Sequence, residues 1–484
     1  MSFHLMFTFL IAIALAKYDI KRKPIVLVPG LYGSNLYVTY DKNIHVPWYC
    51  PKSMEDELLW IPTKLVLPPF INCICYLSQC EFDNNTNSIH SIDNVNITVK
   101  DFGKRSSVDY IIKGQDHYKN HDSNDKKGFL DFYDNFGSFI DLYVKNGYEV
   151  GKDFFVAPYD WRLAPLFVDN FWPQLKNMIE KAYELSGGQK VTLTGFSMGC
   201  FMIQQFLAGE RIMKYNKGKK VNGRQILTAI KDKKSVVTQR WINKYIEKVI
   251  LLAPSFGGSL KAYDAILRRY SPLVPFYKSV YIGDFATSGP GFYAHWPNLQ
   301  IFKGLPLVRG PDGVNYTVDQ LRDILASHSN IRPDHVPIMD LAIDIQRSGP
   351  IDIGEKIPLT IIYNSKVPTT SFLDYKNGWD HDPIVFIDGK GDGTVPSEGI
   401  RYACDNWKSN KRRLICIDLE KNDAKHYQHG ALTSNPYVLD LVYKATNGDT
   451  DKDSQQWWMT TGKSDVFLES KKVYGKDQKL IQFE

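Results

Sequence analysis

Several large classes of protein are excluded by what this chain lacks. Beyond the first sixteen residues no stretch is long and apolar enough to cross a bilayer as a helix, which argues against a chain that threads the membrane repeatedly. It has no low-complexity tract and no internal repeat, so repeat arrays and compositionally biased polymers are set aside. Charge of one sign is not in excess: 59 Lys and Arg against 53 Asp and Glu leave +6 over 484 residues. That balance gives no reason to invoke nucleic acid as a partner. The densest basic stretch, Lys214 to Lys234, reads as a solvated insertion. Histidine is scarce at 11 residues, so where each one falls is informative.

What is present is ordinary globular composition, 43% hydrophobic and 23% charged. It is long enough for one large core with insertions or for two or three domains. The opening run "MSFHLMFTFLIAIALA" ends in Ala14-Leu15-Ala16 before Lys17. It has the apolar core and A-x-A end of a signal peptide over residues 1–16, although its first residues lack Lys or Arg. Three N-x-S/T sequons, at Asn84, Asn96 and Asn315, agree with passage through the secretory pathway. So do seven cysteines, which suit three bridges and one thiol. The expected bridges are Cys50–Cys73, Cys75–Cys80 and Cys404–Cys416, with Cys200 left over. Spacing leaves the connectivity among the first four open.

Continuous apolar strands alternate with helical patterns along most of the chain. "KPIVLVPG" (23–30), "DFFVAP" (153–158), "KVILLAP" (248–254), "IPLTIIY" (357–363) and "RRLICIDL" (412–419) read as strands. Helices are expected over 131–146 and 165–185, after residue 199, and from Asn435-Pro436 onward. Strands without polar alternation are buried on both faces, so the class is α/β with a mostly parallel sheet flanked by helices. Two stretches depart from the alternation. Residues 44–82 are rich in Cys, Pro and Trp, and residues 210–345 hold the basic stretch followed by a run broken by Pro and Gly.

Chemistry enters at "VTLTGFSMGC" (191–200), where a strand meets a helix through Gly195-Phe196-Ser197-Met198-Gly199. This fits G-x-S-x-G, the sharp turn that presents a serine nucleophile. Such a serine needs a base and an acid to orient the base, in the chain order Ser, Asp or Glu, His. Downstream, "DGKGDGTVPSEG" and "KNDAKHYQHGALTSNP" each follow a strand and supply Asp392 and His429 in that order. The first of these loops also partly fits a calcium site, but its third and twelfth positions are Lys390 and Gly399, where oxygen ligands are needed. No metal or organic cofactor is expected.

Seven motifs together resemble the lecithin:cholesterol acyltransferase and lysosomal phospholipase A family, whose members have the α/β-hydrolase fold. They are "PIVLVPGLYGSNL" (24–36), "APYDWR" (157–162), "TGFSMGC" (194–200), "LLAPSFGGSLK" (251–261), "NYT" (315–317), "GDGTV" (391–395) and "HGALTSNP" (429–436). The resemblance implies Ser197 as nucleophile, Asp392 as acid and His429 as base. Asp392 is preferred to Asp388 because it directly precedes the G-T-V segment. His429 is preferred to His426 because Ser434-Asn435 follow it at the family's spacing before the last helix. By position the oxyanion hole falls to the backbone N–H groups of Leu31 and Met198, although related enzymes carry Cys or Asp where this chain has Leu31. Asp160 and Arg162 are expected as a buried supporting ion pair, and Cys200 as a small buried residue.

The resemblance also implies a disulfide-closed, membrane-binding excursion over 44–82, with Trp48, Trp60, Leu65, Val66, Leu67, Phe70 and Ile71 on an exposed apolar face. It implies a cap over 210–345 within a catalytic domain spanning 17–447. The basic part, roughly 211–238, looks longer than its family counterpart, and the tail 448–484 has no counterpart. The function implied is a lipid acyl-enzyme that moves an acyl group from a glycerophospholipid to a sterol-like alcohol or to water. It would act as a monomer on a membrane or lipoprotein-like surface, secreted or in a lysosomal or vacuolar lumen. Its alternatives are a phospholipase A without sterol transfer and a catalytically silent lipid-binding protein.

Overall fold

A computed structural model describes residues 22–60, 70–108, 136–221, 224–225, 230, 232–270, 278–347, 350–448, 471–474 and 480–481. The expected signal segment, Leu65 to Leu67 and most of the tail lie outside these residues. The central sheet has eight strands: β1 Ile25–Val28, β2 Phe154–Val156, β3 Val191–Phe196, β4 Ile246–Leu252, β5 Leu359–Tyr363, β6 Leu414–Asp418, β7 Lys471–Tyr474 and β8 Leu480–Ile481. Their order across the sheet is β8-β7-β6-β5-β4-β3-β1-β2. All pairings from β2 to β6 are parallel, and β7 and β8 add an antiparallel edge.

Both faces of the sheet are covered, which is why its strands read as unbroken apolar runs. Within β1, Val26 and Val28 face one core with Ile203 and Phe206 of the helix Met198–Asn216. Ile25 and Leu27 face the other core, with Phe139 of the helix Gly137–Lys145 and Val438 and Val442 of the helix Pro436–Asn447. This is the α/β-hydrolase fold.

Three boundaries differ from expectation. The helix foreseen over 165–185 runs Phe171–Leu185, and residues 163–170 form turns. Pro173 explains the later start, since proline is tolerated in a first turn, where its missing N–H has no partner to lose. The expected cap over 210–345 is not one excursion. Its first residues complete the helix Met198–Asn216, and the core strand β4 lies inside it. The described residues of 44–82 are also more ordered than a loop: Met54–Trp60 pairs antiparallel with Leu36–Tyr40, which pairs in turn with Asn96–Thr98.

Two disulfides are present, Cys50–Cys73 and Cys404–Cys416. The expected Cys75–Cys80 bridge is not formed, and both residues are buried thiols. Cys75 sits in the last turn of the helix Phe70–Leu77 while Cys80 opens the strand Cys80–Asp83. Burial raises each thiol to about 12, so both stay protonated.

Candidate active site

Ser197 stands between the end of β3 and the helix Met198–Asn216 with φ 53° and ψ −121°, a positive-φ backbone uncommon for a residue with a side chain. Two glycines make the turn feasible. A Cβ on Gly199 would lie 2.1 Å from the Val28 carbonyl oxygen, and one on Gly195 would lie 2.8 Å from the Cys200 nitrogen. Strand, turn and helix therefore close around Ser197 more tightly than any larger residue allows.

His429 comes from the loop after β6. Its backbone N–H donates to the Asp392 carbonyl at 2.8 Å, which ties the two loops together. Asn435 caps the last helix by accepting from the Tyr437 and Val438 N–H groups, and its Nδ2 donates to the His426 carbonyl at 2.8 Å. The Phe196 ring lies 5.0 Å, centroid to centroid, from the imidazole. Held this way, His429 Nε2 is 2.8 Å from Ser197 Oγ and Nδ1 is 2.6 Å from Asp392 Oδ2. Asp392 is buried, and its Oδ1 accepts the Thr394 and Val395 N–H groups. Serine, histidine and carboxylate form one unbroken hydrogen-bonded line. The arrangement can move a proton from a hydroxyl to an imidazole whose far side is held by a carboxylate.

The rejected alternatives lie elsewhere. His426 is exposed and faces Asp423, with Nδ1 at 2.5 Å from Oδ2. Asp388 is exposed and accepts from Ser371 Oγ. Met198 directly follows the serine, and Leu31 follows Gly30 in the turn after β1. Met198 opens the helix, where N–H groups have no partner within the helix, and Gly30 touches Ser197, since a Cβ built on it would lie 3.0 Å from Ser197 Cβ. Cys200 is buried, its thiol donates to the Leu252 carbonyl at 3.4 Å, and burial pushes its pKa up.

Arg162 is fully buried and grips Asp160 with two bonds, Nε to Oδ1 at 3.0 Å and Nη2 to Oδ2 at 2.6 Å. It also donates to the Ser78 carbonyl and to Ser91 Oγ. The pair thereby pins the hairpin Cys80–Asp83/Ser88–Ser91 to the loop after β2. Between them Trp161 is buried, and its Nε1 donates to the Ser34 carbonyl.

Two expected surface residues, Trp60 and Ile71, are not at the surface. Trp60 is only 5% exposed, stacked on Tyr32 at 4.9 Å and edge-on to Trp161 at 5.2 Å, with its Nε1 donating to the Tyr32 carbonyl. The pairing of Met54–Trp60 with Leu36–Tyr40 turns the end of that strand inward, so Trp60 packs on Tyr32 in the turn after β1. Ile71 is buried too, whereas Trp48 is 88% and Phe70 44% exposed. Cys50 and Cys73 join the segments carrying these two aromatics, with Cα atoms 5.3 Å apart. Asn84, Asn96 and Asn315 are all exposed.

Sequence reasoning missed Ser259, Lys261 and His295. His295 lies in the turn after Pro290–Tyr293, and its Nδ1 lies 3.0 Å from the Gly291 carbonyl. Burial pulls it down to about 4, helped by the neighbouring His429, so it is neutral at ordinary pH. No local pattern marks it. Ser259 was findable as the N-cap of the helix Leu260–Leu267.

Comparison with known proteins agrees with this geometry. The sequence profile of the lecithin:cholesterol acyltransferase family matches residues 56–282, a span that includes Ser197. A phosphatidylcholine-sterol acyltransferase of Mus musculus is 24% identical over 418 residues, covering 84% of this chain and 81% of that protein. A lysosomal phospholipase A and acyltransferase of Bos taurus is 25% identical over 440 residues, covering 88% and 92%. Among solved structures, a chain of the Tle4–Tli4 complex aligns with a TM-score of 0.42 and 13% identity, covering 88% of this chain and 98% of that one. These matches make the chain similar to the lecithin:cholesterol acyltransferase family over most of its length.

Proposed function

We propose that the protein is a lipid acyl-enzyme that takes a fatty acyl group from a glycerophospholipid and passes it to a lipid alcohol, such as a sterol, or to water. The hydrogen-bonded line Ser197–His429–Asp392 carries this reading, together with the relatives' printed activities. Ser197 Oγ attacks the ester carbonyl carbon as His429 Nε2 takes its proton, and Asp392 steadies the imidazolium through Nδ1–H. The oxyanion is held by the N–H groups of Leu31 and Met198. His429 then gives the proton to the leaving lysophospholipid oxygen, which departs and leaves an ester on Ser197. In the second half the acceptor hydroxyl loses its proton to His429, attacks that ester and releases Ser197.

Acyl chains lie inside a lipid surface, so the protein must dock on one. Trp48 and Phe70, exposed and held together by the Cys50–Cys73 bridge, suit a peripheral docking site. Burying apolar surface there contributes roughly 25 cal/mol per Å². Replacing both by Ser is expected to weaken binding to phosphatidylcholine vesicles and lower activity on them, while cleavage of a short soluble ester stays near wild type. Trp60→Ser is expected to behave differently. It removes a packed core residue at a cost of about 3–5 kcal/mol and lowers the melting temperature and both activities together. Equal losses on vesicle and soluble ester in the Trp48/Phe70 variant would reject the docking role.

The two disulfides and the exposed sequons support a luminal or secreted location. All three residues of the catalytic line come from one chain, which supports a functional monomer. The direct test of the reading is incubation with acyl-labelled phosphatidylcholine vesicles, with and without sterol. Labelled free acid or sterol ester is expected, and the absence of both would reject it.

A further inference from the structure

The loop that carries Asp392 is gripped from behind. Asp392 Oδ1 accepts the Thr394 N–H at 3.1 Å and the Val395 N–H at 2.8 Å. The carbonyl ends of those same two peptide groups are also engaged. Gly393 C=O shares its peptide group with the Thr394 N–H, and it accepts from Lys261 Nζ. Thr394 C=O shares its peptide group with the Val395 N–H, and it accepts from Ser259 Oγ at 2.6 Å. Ser259 Oγ itself accepts the Lys261 N–H at 3.2 Å at the head of the helix Leu260–Leu267, so its single proton is directed at Thr394. Two relays of donor, peptide group and carboxylate therefore converge on one oxygen. One is headed by an ammonium, the other by a hydroxyl at a helix N-terminus.

We infer that Ser259 and Lys261 are positioning residues for the reaction, acting through these two peptide groups to hold the Asp392 carboxylate aimed at His429. This rests on the reading of Asp392 and His429 as acid and base given above. Hydrogen bonds in series polarise one another, so a peptide group whose oxygen is bonded to a cation is a better N–H donor at its other end. Fixing both peptide groups also fixes the carboxylate's direction, and small misplacements of catalytic groups are costly.

The test is kcat and KM on a short soluble ester, beside melting curves, for wild type, Lys261→Met, Lys261→Arg, Ser259→Ala and Ser259→Thr. Each is normalised to active sites counted with a fluorophosphonate. Lys261→Met is expected to lower kcat/KM about tenfold, in line with a misaligned acid. Lys261→Arg should recover most of that rate. Ser259→Ala should lower kcat with KM little changed, and Ser259→Thr should restore it. A wild-type rate in Lys261→Met, or equal defects in the Met and Arg variants, would overturn the inference. A lowered melting temperature with the rate per active site unchanged would also overturn it, since that marks a merely structural role. Loss of the catalytic reading itself would show differently, as activity surviving in Ser197→Ala whatever the Lys261 variants do.

Discussion

Ser197→Ala is expected to lower ester cleavage by on the order of a millionfold, the cost of removing a triad nucleophile. The fold should survive. Ser197 is buried, alanine is smaller, and the strained φ of 53° is fixed by β3, the helix and the glycines around it rather than by the hydroxyl. Vesicle binding should also be unchanged, because Trp48 and Phe70 lie on a different part of the surface. The measurement is turnover of labelled phosphatidylcholine beside a melting curve and vesicle sedimentation. A correctly folded, membrane-bound variant that still cleaves at more than about a hundredth of the wild-type rate would remove Ser197 from the mechanism.

The second large effect concerns the base and the acid. His429→Ala should approach the Ser197→Ala loss, since residues of one catalytic unit fail together. Asp392→Asn should cost about ten-thousandfold, because an amide fixes the wrong tautomer of the imidazole. His426→Ala and Asp388→Asn should change turnover little, as His426 pairs with exposed Asp423 and Asp388 with Ser371. These four variants separate neighbours only three or four residues apart. An inactive His426→Ala beside an active His429→Ala would contradict the hydrogen bond between His429 Nε2 and Ser197 Oγ.

The Ser197–His429–Asp392 line is legible in the sequence because its parts are local. G-x-S-x-G is a backbone requirement, and Asp392 and His429 each sit in a short loop directly after a recognisable strand. The strands themselves are legible because burial on both faces leaves them uniformly apolar. What stays hidden depends on which way a side chain turns. Trp60 and Trp48 look alike in a Trp- and Cys-rich excursion. Only the pairing of Met54–Trp60 with Leu36–Tyr40 turns Trp60 inward onto Tyr32 while Trp48 stays outside. Cys75 and Cys80 are close in sequence, but one ends a helix and the other begins a strand, each filled in among core residues. The grip of Ser259 and Lys261 on the Asp392 loop joins segments more than 130 residues apart, a contact that no local pattern encodes.

The central claim is that one serine carries the acyl group. Its most direct test is to titrate the protein with a fluorophosphonate probe, map the modified peptide by mass spectrometry and follow phosphatidylcholine cleavage in the same samples. The account predicts one probe per chain, on Ser197, with cleavage falling in proportion to labelling and no labelling in Ser197→Ala. Modification at another residue, or full cleavage by protein whose Ser197 is fully modified, would contradict it.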